Sequence, residues 1–219
     1  SQEKAKAPAC TQDGKTFQIL ANVSGAKEAK IEFENGAEGV GLVRTEFLFL
    51  NRDEMPSEVE QYQAYKEVCM SMKGYPVCIR TLDVGGDKPI PYLDIPEENN
   101  PFLGLRGIRY CLQNTEFFKT QLRAICRLSA NHNVRIMYPM VGVIEEVISA
   151  NMLLREVQQD LLKDGIDFSP NMSVGMMMEV PSSIFFIPQL ANELDFLSIG
   201  TNDLTQYLLA LDRDNSSVA

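Results

Sequence analysis

Short apolar runs alternate with helix-like segments about six times along this chain, and this alternation constrains the fold more than any other feature. The runs are continuous, as in strands that are buried on both faces of a parallel sheet. The runs occupy residues 17–23, 39–43, 76–79, 134–139, 173–178 and 196–199. The helical segments occupy residues 24–35, 57–72, 118–128, 147–161, 184–194 and 204–211, and the second begins with a capping-box pair, Ser57 and Glu60. This order predicts the α/β fold class.

The charge and cysteine counts exclude several classes of function. The 219 residues include 20 Lys and Arg against 30 Asp and Glu, a net charge of −10, so we expect no nucleic-acid partner. No segment approaches the ~20 apolar residues of a membrane span, so we expect no membrane insertion. Five cysteines without C-x-x-C spacing and a lone His132 argue against a zinc site and a disulfide framework. We therefore expect free thiols and a cytoplasmic location.

Charged residues follow four of the predicted strands. Arg44, Arg80, Glu179 and Asp203 each stand at or just after the end of an apolar run. Because parallel α/β folds bring the carboxyl ends of their strands to one ligand-binding face, we expect these side chains to meet. Arginine grips phosphate or carboxylate through two hydrogen bonds, and a pair of carboxylates suits Mg²⁺. The pattern predicts a site for an anion beside a magnesium ion.

Three further residues extend this candidate site. Arg106 lies in a long irregular stretch over residues 84–107, Asn202 precedes the last helix, and Arg213 follows it. The two arginines could help to surround a small polyanion, and Asn202 adds a neutral donor. Any one of these residues alone is more often a surface charge or a helix cap, so the hypothesis depends on their arriving together.

Six motifs resemble the enzyme I family of the bacterial phosphoenolpyruvate:sugar phosphotransferase system, including the enzyme I part of multiphosphoryl transfer proteins. They occupy residues 36–49, 80–88, 100–106, 135–140, 175–181 and 198–206. The resemblance implies a (β/α)8 TIM-type barrel of the phosphoenolpyruvate-utilising family, which binds phosphoenolpyruvate and Mg²⁺ at its C-terminal face. In that family the phosphoryl group passes to a histidine on a separate domain and then to the carrier HPr, for sugar uptake or its regulation, and the barrels usually form homodimers.

The resemblance also implies a role for each matching residue. Arg44 and Arg80 would hold the phosphoryl group, and Arg106 would contact the substrate and the developing enolate oxygen as a catalytic residue. Glu179 and Asp203 would bind Mg²⁺. The phosphate and carboxylate ends of the substrate would be held by Asn202, Asp203 and Arg213.

We expect this sequence to be part of a longer protein. It does not begin with Met, and about six of the eight barrel strands can be counted. We divide it into a linker or arm, residues 1–15, and a partial barrel, residues 16–219. The family's phosphorylatable histidine and its proton-donating cysteine have no match here, so we expect the chain alone to be incompetent for turnover.

Two other functions stay open at this point. The chain could be a lyase that handles pyruvate or phosphoenolpyruvate on a similar barrel, which would need a base or a Schiff-base lysine. Lys88 is the one lysine near the predicted mouth, and its role is unassigned. Alternatively, the chain could be a non-catalytic dimerisation or regulatory module.

Overall fold

Six parallel strands form one curved sheet in the order of the chain, as in an opened TIM-type barrel. The computed structural model describes residues 7–85, 90–93 and 95–217. The strands of this sheet are β3 (Ala21–Val23), β4 (Val40–Arg44), β5 (Val77–Arg80), β6 (Val134–Tyr138), β7 (Val174–Met178) and β8 (Phe196–Ile199). Each strand is hydrogen-bonded in parallel to the next one along the chain. The predicted fold class, with six of eight barrel strands, is confirmed.

Helices connect the strands and cover the outer face of the sheet. They are α1 (Ala26–Glu34), α2 (Glu58–Ser71), α3 (Ile108–Gln113), α4 (Thr115–Ser129), α5 (Ile144–Lys163), α6 (Ile187–Leu190) and α7 (Thr201–Leu209). The predicted capping box at the start of α2 is present: the Glu60 N–H donates to Ser57 Oγ, and the Ser57 N–H donates to Glu60 Oε2. The long α5 lies where apolar residues at helical spacing placed it.

The main hydrophobic core lies between the sheet and these helices. Its largest fully buried side chains include Tyr65, Phe118 and Tyr138. A smaller apolar cluster, Leu42, Cys78, Met137 and Met177, forms separately from it. The main hydrophobic core therefore supplies most of the buried apolar area that holds the strands in place.

The first predicted strand, residues 17–23, is divided in two. Thr16–Phe17 forms β2, which pairs in antiparallel fashion with β1 (Ala9–Cys10), and only Ala21–Val23 joins the large sheet. The strand is split because Phe17 pairs with Ala9 of β1 instead of joining the large sheet. The boundary between an arm and a barrel at residue 15 stays a prediction.

The helix predicted over residues 184–194 is wrong in most of its length. Residues Pro181–Phe186 form a 3-10 helix, and only the four residues of α6 follow in α-helical form. Pro188 lacks the N–H group that would donate to the Ile184 carbonyl in a continuous α-helix, which explains the interruption. Within the described residues, no helix is long and apolar enough to cross a membrane.

Candidate functional site

A cavity of about 530 Å³ opens at the carboxyl ends of the strands. Its lining contains every residue that the sequence pattern selected. These are Arg44, Arg80, Arg106, Glu179, Asn202, Asp203 and Arg213. The shared direction of parallel strands explains why Arg44, Arg80 and Glu179 meet here, since each ends or directly follows a strand.

Two arginines enter the cavity from neighbouring strands. Arg44 ends β4 and Arg80 ends β5, and the two are register partners in the sheet. The hydroxyl of Thr45 donates to the Arg80 carbonyl oxygen at 2.9 Å, which ties the two strand ends together. Like charges on adjacent strands repel each other, so this pairing requires compensating anions.

Arg80 is nearly buried and receives that compensation from two carboxylates. Its Nη2 donates to Glu46 Oε2 at 3.2 Å, and its Nη1 lies 3.1 Å from Asp83 Oδ2. Burial would lower the pKa of Arg80, but the charges of Asp83 and Glu46 raise it above its ordinary value. The Nε of Arg80 is buried and has no hydrogen-bond partner among the described residues. A buried donor without a partner is unfavourable, so this nitrogen adds to the cost of holding the guanidinium group in place.

Arg44 differs from Arg80 in being exposed. In the part of the chain that the structure describes, no ion pair or side-chain hydrogen bond holds its guanidinium group. Arg44 is thus an exposed arginine with no ion pair to another described residue, while Arg80 is nearly buried and paired.

Arg106 reaches the cavity from the irregular stretch rather than from a strand. The Gly107 N–H donates to the Val84 carbonyl at 2.9 Å, which docks this stretch on the segment that follows β5. Gly85 adopts a φ of +110°, and a Cβ there would lie 2.8 Å from the Leu105 carbonyl oxygen. Only glycine combines this backbone angle with so close an approach.

Carboxylates surround the guanidinium group of Arg106. Its Nε and Nη2 donate to the two oxygens of Asp83, and its Nη1 donates to Asp203 Oδ1 at 3.0 Å. Burial would lower the pKa of Arg106, but the charges of Asp83 and Asp203 raise it. Arg213 approaches the same Asp203 oxygen at 3.4 Å. Asp203 thus joins two arginines that lie far apart in sequence.

Glu179 follows β7 and is almost completely buried. Its Oε1 accepts a hydrogen bond from the Met140 N–H at 2.7 Å. Burial, and then the nearby charge of Asp83, raise the pKa of this carboxyl group well above its ordinary value. A Cβ at Gly200 would lie 2.8 Å from Glu179 Oε2, so glycine at the end of β8 leaves room for the carboxylate. The result is a buried acid whose charge favours a nearby cation.

The lining contains four arginines and three carboxylates. Glu46, which pairs with Arg80, adds a fourth carboxylate beside the cavity, so an anion that carries both a phosphoryl and a carboxylate group would give the site a net negative charge. Chemically, the arrangement can therefore bind such an anion together with a cation.

Sequence reasoning missed two residues that this geometry makes important, Asp83 and Glu46. Both lie within three positions of a strand-end arginine, so the rule that selected Arg44 and Arg80 could have found them. Lys88 falls outside the described residues. The lone His132 precedes β6 and is absent from the cavity lining, so it lies at the opposite end of the sheet.

Comparison with known proteins places the chain in a family. The model of the PEP-utilising enzyme, PEP-binding domain, matches residues 1–219. A multiphosphoryl transfer protein of Rhodobacter capsulatus is 52% identical over 206 residues, which is 94% of this chain and 24% of that protein. A phosphoenolpyruvate-protein phosphotransferase of Bacillus subtilis (strain 168) is 48% identical over 97% of this chain and 37% of its own length. The corresponding protein of Staphylococcus carnosus (strain TM300) is 47% identical over 100% of this chain and 38% of its own length.

The chain thus spans less than two-fifths of the length of these relatives. A crystal structure of a citrate lyase from Burkholderia xenovorans LB400 aligns with a TM-score of 0.48 and 12% identity, covering 90% of this chain and 54% of that one. A structural similarity this weak supports no conclusion about this chain. The family model and the sequence relatives confirm the resemblance drawn from the motifs. The chain belongs to the phosphoenolpyruvate-binding domain family of the PEP-utilising enzymes.

Proposed function

We propose that this chain is the phosphoenolpyruvate-binding part of a phosphotransferase, which moves the phosphoryl group to a histidine on a separate domain and then to HPr or a similar carrier. The observation that carries the proposal is the cavity at the carboxyl ends of the strands. It joins four arginines to two carboxylates, Glu179 and Asp203, that can face a cation. The curated relatives named phosphoenolpyruvate-protein phosphotransferase support this reading.

The phosphoryl group would bind between Arg44 and Arg80. Arg44 is exposed and unpaired in the described part of the chain, so it can swing onto a ligand without breaking an ion pair. Arg80 lines the same cavity, and Glu46 and Asp83 hold its guanidinium group in place. In phosphoryl transfer the protein mainly positions the group and neutralises charge on its equatorial oxygens. The guanidinium groups of Arg44 and Arg80 are suited to both tasks.

The enolate and carboxylate end would bind near Arg106, Asn202 and Arg213. Arg106 is already held in place by Asp83 and Asp203, so its orientation requires little reorganisation when the enolate oxygen develops charge. Arg213 is about one-third exposed, and it can turn from Asp203 to a substrate carboxylate. Asn202 adds a neutral donor at the start of α7.

Glu179 and Asp203 fit the requirements of a magnesium ion. Mg²⁺ is usually bound through one or two carboxylates, with substrate oxygens and water completing its coordination. Both carboxylates line the cavity, and no group of three or more metal-binding side chains occurs among the described residues. Burial and the nearby charge of Asp83 raise the pKa of Glu179, so a cation close to its carboxylate would stabilise the charged form. When bound, the ion would neutralise charge on the phosphoryl and enolate oxygens.

The phosphoryl acceptor would come from outside this chain. His132 is the single histidine of the sequence, and it lies at the amino ends of the strands, away from the cavity. The resemblance to enzyme I supports a histidine domain, the carrier HPr and a homodimer. The free cysteines, four of them buried, support a cytoplasmic location.

Transfer of label tests this proposal directly. The full chain is incubated with Mg²⁺ and phosphoenolpyruvate labelled in its phosphoryl group, with and without a separately supplied histidine domain of enzyme I. We expect label on the histidine only when the chain and the histidine domain are both present. Cleavage of a carbon–carbon bond would indicate a lyase instead, and neither reaction would indicate a non-catalytic module.

The metal assignment has its own test. We expect calorimetry to show that phosphoenolpyruvate binding by the full chain depends on Mg²⁺, and that Glu179→Ala and Asp203→Ala each weaken this dependence. A control is Glu116→Ala, because the Glu116 side chain is 89% exposed and does not line the cavity. Unchanged Mg²⁺ dependence in both cavity variants would show that the assignment is wrong.

A further inference from the structure

We propose that Asp83 is a positioning residue that fixes the separation of the Arg80 and Arg106 guanidinium groups for a ligand that is charged at both ends. This inference rests on the proposed function, because it concerns the same cavity and the same substrate. Asp83 lies within the motif over residues 80–88, but the sequence analysis assigned it no role.

One carboxylate holds both arginines. Asp83 Oδ1 accepts from Arg106 Nε at 3.2 Å, and Oδ2 accepts from Arg106 Nη2 at 3.3 Å. The same Oδ2 lies 3.1 Å from Arg80 Nη1. Asp83 therefore binds Arg106 through two parallel hydrogen bonds, while its Oδ2 also pairs with Arg80. The side chain of Asp83 is only 2% exposed, so water screens these contacts little.

The surroundings hold Asp83 itself in place. Its N–H donates to Glu46 Oε1 at 3.0 Å, and Glu46 Oε2 also accepts from Arg80. The N–H of the preceding residue, Leu82, donates to the buried side chain of Gln121 at 2.9 Å. On the other side, a Cβ at Gly107 would lie 3.2 Å from Asp83 Oδ1. The carboxylate thus has little freedom to move, and neither do the arginines that it joins.

Fixed spacing matters most for a ligand that touches both arginines. A two-ended anion gains when the second contact forms without further loss of freedom, as in any preorganised pair of binding groups. An anion with a single charged group would bind between Arg44 and Arg80 without contacting Arg106, so it gains nothing from the spacing of Arg80 and Arg106. Asp83 should therefore contribute more to the affinity for phosphoenolpyruvate than to the affinity for inorganic phosphate.

The test compares two ligands on matched variants of the full chain. Affinities for phosphoenolpyruvate and for inorganic phosphate are measured by calorimetry with Mg²⁺ present, using competition for the weaker ligand. We expect Asp83→Asn to weaken phosphoenolpyruvate binding by about 10- to 100-fold, the usual effect of removing a group that orients a binding residue. We expect inorganic phosphate binding to change by less than about 3-fold, because phosphate would bind between Arg44 and Arg80 and does not depend on the spacing of Arg80 and Arg106.

Two further variants make the result interpretable. Asp164→Asn removes the same charge at a side chain that is 54% exposed, and it should leave both affinities unchanged. Asp83→Glu retains the charge that keeps the arginines compensated but displaces the carboxylate. It should remain folded by circular dichroism and still weaken phosphoenolpyruvate binding about 10-fold, because small misplacements of binding groups are costly.

Different failures have different meanings. If the wild-type chain binds phosphoenolpyruvate and Asp83→Asn weakens both ligands equally, Asp83 is merely structural and this inference is overturned. Full affinity in Asp83→Glu would also overturn it, since charge alone would then suffice. If the wild-type chain fails to bind phosphoenolpyruvate, the proposed function fails, and this inference fails with it.

Discussion

The buried amide of Gln121 connects the hydrophobic core to the candidate site, and its removal should have a measurable cost. Gln121 Oε1 accepts from the Leu82 N–H at 2.9 Å, and its Nε2 donates to Tyr65 Oη at 3.0 Å. All three residues are completely buried. In Gln121→Leu the Leu82 N–H loses its acceptor in a place that water does not reach, and Tyr65 Oη loses a donor.

The expected magnitude follows from these two lost contacts. An orphaned buried donor costs about 1–3 kcal/mol, and loss of the second hydrogen bond costs about 1 kcal/mol more. Leucine and glutamine have similar volumes, so the packing change should be small. We therefore expect Gln121→Leu to lower the free energy of unfolding by about 2–4 kcal/mol.

Urea unfolding followed by circular dichroism measures this change. The matched control is Gln113→Leu, the same substitution at an exposed position, which should change stability by less than about 0.5 kcal/mol. Hydrogen exchange provides a local readout, because the Leu82 amide should lose protection in the Gln121 variant. A loss of less than about 0.5 kcal/mol in Gln121→Leu would refute the reasoning that this amide satisfies buried groups.

Three further predictions concern other parts of the fold. Gly175→Ala should lower the free energy of unfolding by about 1–3 kcal/mol, because a Cβ would lie 2.6 Å from the Phe196 carbonyl oxygen and ring; unchanged urea unfolding would contradict this. At pH 8 a thiol reagent should rapidly modify only the exposed Cys10 of the native chain. Burial raises the pKa of the Cys69 thiol to about 12, and it also raises the pKa values of the other three buried thiols. Rapid reaction of a second thiol would refute this prediction. Hydrogen bonds from Ser57 and Arg52 lower the pKa of Glu60 to about 2, so its contribution to stability should be present above pH 4.5 and be lost as the pH falls towards 2. Thermal unfolding of Glu60→Gln should therefore show a weaker pH dependence in this window than the wild type, and an identical dependence would contradict the prediction.

The meeting of the site residues that end or directly follow strands could be predicted from sequence, because strand direction determines it. Arg44 and Arg80 end neighbouring parallel strands, and Glu179 directly follows another, so the topology alone brings them to one edge. No knowledge of side-chain geometry was needed for this step. The predicted limits of β8, residues 196–199, also agree with the structure.

The roles of Asp83 and Glu46 could not be predicted in the same way. Their importance depends on which oxygen meets which guanidinium nitrogen, and hydrophobic patterning contains no such information. The first apolar run failed as a single strand for a related reason, since Phe17 pairs with a hairpin partner that periodicity does not reveal. Distant pairing and side-chain geometry are what the sequence pattern leaves undetermined.

A crystal structure of the full chain with Mg²⁺ and phosphoenolpyruvate tests the central claim most directly. We predict that the phosphoryl group lies between Arg44 and Arg80, with the metal ion on Glu179 and Asp203. Ligand density at the amino ends of the strands, or a ligand in the cavity that contacts neither arginine, would contradict the assignment.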